Sequence, residues 1–120
     1  MTRPAAALLF AQEGASVAVS DLSTDNVAET VELINKAGGQ AISVTGDVTV
    51  PADVDAIAEA AIKAFNRIDC AFNNAGIAAY QVDAAGKKTA DWSEEAFDRM
   101  IAVNLKGVWL SMRAEIKHME

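Results

Sequence analysis

The chain holds one cysteine, Cys70, and one histidine, His118. A lone thiol excludes a disulfide framework or a paired-cysteine metal knuckle, and a lone imidazole excludes a multi-histidine metal centre. No metal is therefore expected. Basic residues are few, ten against seventeen acids, and Lys87-Lys88 is their one adjacent pair. A net charge of −7 excludes a nucleic-acid surface, which needs clustered Lys and Arg. Long apolar runs are missing as well: nothing approaches the roughly 20 residues of a membrane span. After Arg3, the apolar stretch Ala5–Ala11 ends at Gln12-Glu13. That is too short for a comfortable signal core and reads as the buried face of a helix, so a cytoplasmic location is expected.

What is present suits one small globular domain. The 120 residues are 52% hydrophobic and 22% charged, and short Ala-, Val- and Ile-rich bursts alternate with helical patterns. This alternation predicts an α/β fold with a parallel sheet and crossover helices. A first helix is expected over about 3–13, closed by Gly14, and a strand over 16–20 that runs into Asp21-Leu22. A second helix is expected over 24–37, stopped by Gly38-Gly39, and a strand over 41–45 ending at Gly46-Asp47. Thr49 is the expected N-cap of a third helix, with Pro51 in its first turn. Val54, Ile57, Ala58, Ala61, Ile62 and Phe65 form that helix's apolar stripe. Ile68–Phe72 is expected as a third strand, with Cys70 a small core residue, leading into Asn73-Asn74-Ala75-Gly76. A polar loop follows over 77–91, including Tyr80. Asp91 or Ser93 then caps a helix whose stripe runs from Phe97 to Met112.

The three strands thus end at Asp21, at Asp47 and at Asn73-Asn74. In an open parallel sheet all strand C-termini share one edge, where ligands bind, so these side chains should converge. An acid after such a strand suits the ribose hydroxyls of a dinucleotide and repels a 2′-phosphate. Asp is equally common as the residue that opens a turn.

Four segments resemble the short-chain dehydrogenase/reductase family, in its order and spacing: Glu13-Gly14-Ala15-Ser16-Val17, Gly46-Asp47-Val48-Thr49, Asn73-Asn74-Ala75-Gly76-Ile77 and Val103-Asn104-Leu105-Lys106-Gly107-Val108. The resemblance covers Arg3 to His118. It implies an incomplete NAD-binding domain over 1–120: a partial Rossmann-type, doubly wound parallel sheet of three strands with flanking helices and the first strand missing. It assigns Asp21 and Leu22 to the adenosine ribose, with NAD preferred over NADP, and Asp47 and Val48 to the adenine. It assigns Asn73, Asn74, Ala75 and Gly76 to bracing the central strand and lining the cofactor. Asn104 matches the family's structural and catalytic asparagine, whose backbone carbonyl holds a water of the proton relay.

The family's Thr-Gly-x-x-x-Gly-x-Gly turn would fall before Arg3, and its Ser and Tyr-x-x-x-Lys beyond Asn104. Neither is among these residues; Tyr80 lacks the lysine, and Lys106 lacks a tyrosine partner. The resemblance implies hydride transfer between NAD and a secondary alcohol or ketone in a homodimer or homotetramer, associating through the helix over 105–119. With a central strand slot vacant, the 120-residue chain alone is expected neither to fold stably nor to turn over substrate. Two rival classes share parts of the pattern. An S-adenosylmethionine-dependent methyltransferase also places acids after its second and third strands, but gives Asn-Asn-Ala-Gly no role. A receiver-like signalling domain would need an acidic pair after its first strand, which is not seen here.

Overall fold

The computed structural model describes residues 3–120, and side chains from Ala5 onward. Met1 and Thr2, expected to precede the first helix, lie outside the described residues. The order is α1 (Arg3–Gln12), β1 (Ser16–Asp21), α2 (Thr24–Lys36), β2 (Gln40–Thr45), α3 (Pro51–Phe65), α4 (Glu94–Ile101) and α5 (Gly107–Met119). Short 3-10 turns at Ala79–Val82 and Thr89–Asp91 shape the loop before α4. A five-residue π segment, Ala102–Lys106, joins α4 to α5.

β1 and β2 pair in parallel with Ser16 opposite Gln40 and Asp21 opposite Thr45. Helices α1 and α2 pack against β1, while α3 packs against both strands and against α5. The result is the layered α/β arrangement that the alternating pattern predicts. Each layer is held by a small core. Val27 and Ile34 of α2 are almost wholly buried, and Thr30 between them donates its hydroxyl to the Asn26 carbonyl at 3.0 Å. On the other side Val54 and Ala58 of α3 meet Leu110 and Ala114 of α5, with Val48 and Ile68 packed against them.

Local chemistry sets the helix starts. Ser23 caps α2 by accepting from the Asn26 N–H, and Ser93 caps α4 by accepting from Ala96, with Glu94 and Glu95 in the first turn. Thr49 does not cap α3. Val50 holds that position without a side-chain bond, and Pro51 follows in the first turn. Thr49 instead turns back to Asp47, an acceptor two residues away that competes for its hydroxyl.

The expected third strand is not a strand. Residues 66–78 carry no sheet pairing; Cys70 is exposed and Phe72 is 60% exposed. The physical reason is that an extended apolar run becomes a strand only when a neighbour supplies ladder partners, and the sheet among the described residues contains β1 and β2 alone. Phe72 is held instead by an edge-to-face contact with Phe10 of α1, ring centroids 6.2 Å apart.

The molecule is correspondingly open. Its radius of gyration is 15.7 Å, against about 13.5 Å for a compact domain of this length. Leu9, Phe10, Leu105, Trp109, Met112 and Ile116 are all exposed.

Candidate active site

The register of β1 and β2 brings the first two site residues together. Asp21 ends β1, and its carbonyl accepts the Gly46 N–H at 3.1 Å, one residue before Asp47. The Asp21 carboxylate accepts the Ser23 N–H at 3.1 Å, which turns the chain into α2 and leaves Leu22 62% exposed on the rim. Thr24 and Thr45 meet across the same strand ends, hydroxyl to hydroxyl at 3.2 Å.

Asp47 is more tightly fixed. Its Oδ1 accepts both the Thr49 N–H at 2.9 Å and the Thr49 hydroxyl at 2.7 Å, while its own N–H donates to Asp53 Oδ2 at 3.0 Å. The Thr49 hydroxyl and N–H hold the Asp47 carboxyl below its ordinary range; slight burial opposes this, and the Arg99 charge adds to it. Asp47 is thus an oriented anion.

The Asn73–Ile77 segment is tied to the same helical run, beginning at α4, that also packs against Val48. Gly107, at the start of α5, lies so close to Val48 that a Cβ there would stand 2.8 Å from Val48 Cγ2. Three residues earlier, Asn104 lies within the π segment. Its Oδ1 accepts the Ile77 N–H at 2.7 Å, and its Nδ2 donates to the Ile77 carbonyl at 2.9 Å and approaches Met100 Sδ at 3.9 Å. A side-chain amide here imitates a neighbouring strand. The π segment widens the helix by one residue at this point, a deviation that recurs at functional sites. Gly76 fits beside the clamp because a Cβ there would meet Asn104 Oδ1 at 3.2 Å. Further along α5, Glu115 Oε1 accepts from Asn73 Nδ2 at 2.7 Å. Burial pushes the Glu115 carboxyl above the ordinary carboxylate range, opposed by the Asn73 bond.

Asp21, Leu22, Asp47 and Val48 therefore share one rim, and the start of α5 joins Val48 to the Asn104-held end of Asn73–Ile77. Asn74, Ala75 and Gly76 are exposed. Sequence reasoning missed Thr49 as the residue that orients Asp47, although an acid two positions before a threonine is the pattern of such turns. It also missed Glu115, which no short motif marks. Among the described residues there is no cluster of His, Cys, Asp and Glu able to bind a metal, and no helix long and apolar enough to cross a membrane.

The family model described as enoyl-(acyl carrier protein) reductase matches residues 4–120. This chain belongs to the short-chain dehydrogenase/reductase family. Among curated proteins it is 39% identical to an uncharacterised oxidoreductase of Thermotoga maritima over 115 residues, 96% of this chain and 43% of that one. It is 38% identical to the cyclohexanol dehydrogenase of Acinetobacter sp. strain SE19, covering 92% of this chain and 42% of the relative. A Serratia marcescens short-chain dehydrogenase/reductase variant superimposes with a TM-score of 0.87 at 26% identity, over 98% of this chain and 46% of that structure. A metagenomic short-chain oxidoreductase in complex with NADP gives 0.85 at 28%, over 96% of this chain and 50% of that one. The chain spans less than half the length of these curated relatives. The methyltransferase and receiver readings find no support among them.

Proposed function

We propose that this chain is the cofactor-binding portion of an NAD-dependent oxidoreductase that passes a hydride between NAD and a secondary alcohol or ketone. The observation that carries the reading is the β1–β2 register, which sets Asp21 beside the Gly46-Asp47 turn on one rim. The residues fit a dinucleotide: an anion at the β1 end for the ribose, an oriented second anion, and a Gly76 edge without a side chain.

In that reading Asp21 accepts from the adenosine ribose hydroxyls, Leu22 covers the sugar, and the Asp21 charge opposes a 2′-phosphate. Both Thr49 bonds fall on Asp47 Oδ1, so Oδ2 is the acceptor offered to the exocyclic amine while Val48 flanks the ring. Asn73 braces the segment, and Asn74, Ala75 and Gly76 line the cofactor through backbone that approaches closely. Asn104 holds Ile77 with its side chain, and its backbone carbonyl orients a water of the proton relay. The bound nicotinamide supplies the hydride chemistry. The exposed face of α5, with Trp109, Met112 and Ile116, is the surface through which copies associate as a dimer or tetramer. Turnover by the 120-residue chain alone is not expected.

Calorimetric titration of the protein, as its gene encodes it, with NAD and with NADP tests the reading. Saturable NAD binding, at least tenfold tighter than NADP, is expected; a preference for NADP would overturn the role of Asp21, and no binding of either would overturn the whole.

A further inference from the structure

The segment Asn73–Ile77 has no ladder partner among the described residues, so side chains must set its position. It is held at both ends by one helical run. Asn104 grips the Ile77 backbone, and Glu115 grips the Asn73 side chain at 2.7 Å. The spacing suits this. Four steps of extended chain span about 13 Å, and the eleven residues from Asn104 to Glu115 rise about 16 Å in roughly three turns. Residues that far apart return to the same helix face, so both grips point toward the segment, which runs antiparallel to the helix. We propose that Glu115 is a positioning residue for the cofactor site: its carboxylate holds Asn73 and so sets where Asn74, Ala75 and Gly76 meet the dinucleotide.

The chemistry favours this over incidental contact. The bond joins residues 42 apart in sequence and is short, as expected when a carboxylate accepts from an amide. Glu115 is only partly exposed and follows the buried Ala114, so its carboxylate gives up solvent to make the bond. Lys117 and His118 on the same helix are exposed. The inference rests on the dinucleotide reading above and deepens it.

Two readouts separate the two claims: NAD affinity by calorimetry, and backbone deuterium exchange over Asn74–Ile77, both on the protein as its gene encodes it. Glu115→Ala is expected to weaken NAD binding about tenfold, the loss of one charge-assisted hydrogen bond, and to speed exchange at Asn74–Ile77. Glu115→Gln keeps an acceptor oxygen and should stay within about twofold on both. Asn73→Asp should weaken binding by setting two carboxylates together, and Asn73→Asp/Glu115→Gln should recover it by exchanging acceptor and donor. Should Glu115→Ala fail to fold, this swap decides the matter. Unchanged affinity and unchanged exchange in a folded Glu115→Ala, or a swap that recovers nothing, would overturn the proposal. Wild-type protein that binds no NAD, yet shows the faster exchange in Glu115→Ala, would overturn the dinucleotide reading while upholding the grip of Glu115 on the segment.

Discussion

The side-chain amide of Asn104 and the backbone of Ile77 exchange two hydrogen bonds, one accepted at 2.7 Å and one donated at 2.9 Å. That pair does for one residue what a sheet partner does for a strand. It sits within the π segment Ala102–Lys106.

Replacing Asn104 tests this directly. Asn104→Ala is expected to strip both bonds from Ile77 and destabilise the protein by about 1–2 kcal/mol. Asn104→Asp keeps the acceptor but sets a negative oxygen against the Ile77 carbonyl, so it should not rescue. Amide exchange at Ile77 should rise in Asn104→Ala, and the thermal unfolding temperature should fall in both variants.

At the strand ends, Asp21 carries the cofactor preference. Asp21→Ser is expected to bring NADP affinity up to or above that of NAD, a relative change of at least about tenfold, from removal of one charge near a 2′-phosphate. Paired titrations with the two dinucleotides measure it. The same change replaces a charged acceptor for the Ser23 N–H by a weaker hydroxyl one, so a small loss of stability should accompany it.

Acid should loosen the Asp47 turn. Its carboxyl titrates below the ordinary value because Thr49 bonds to the charged form. A depressed folded value means the carboxylate stabilises the fold above the unfolded value near 3.8, and that stabilisation fades as pH falls through the folded value. Stability measured from pH 6 down toward pH 2 should decline, and Asp47→Asn should flatten part of the slope. Thr49→Val, which removes the hydroxyl but not the N–H, should remove part of it too.

Gly107 is a packing constraint rather than a hinge. Gly107→Ala would improve helix propensity by up to about 1 kcal/mol, but its Cβ would fall 2.8 Å from Val48 Cγ2. Overpacking costs of about 1–3 kcal/mol should win. Lower thermal stability together with weaker NAD binding is expected, because Val48 must move away from the rim.

Much of this was legible in the amino acids. Period-3.6 stripes located α2 and α3, and Asp21 and Asp47 stand at the ends of the expected strands. In the last expected stripe Phe97, Ile101, Leu105 and Met112 are exposed, and Val103, Leu110 and Ala114 are buried instead. Legibility failed where the structure depends on what lies alongside. Ile68–Phe72 has the composition of a strand, yet strand formation is decided by a neighbour's donors and acceptors, and Cys70 is exposed as a result. Thr49 had two uses for its hydroxyl, and local sequence does not say that Asp47 outcompetes the helix end. Asn104 bonds to Ile77 and Glu115 to Asn73; both contacts are too distant in sequence for any periodicity to show.

In the proposed function Asp21, Asp47 and the Asn74–Gly76 edge all face one adenosine. A crystal structure of the protein, as its gene encodes it, grown with NAD measures this most directly. Ribose hydroxyls within hydrogen-bonding distance of Asp21, adenine against Val48 with its amine toward Asp47, and backbone contact from Asn74–Gly76 are expected. Adenosine bound elsewhere, with Asp21 and Asp47 turned to solvent, would contradict it.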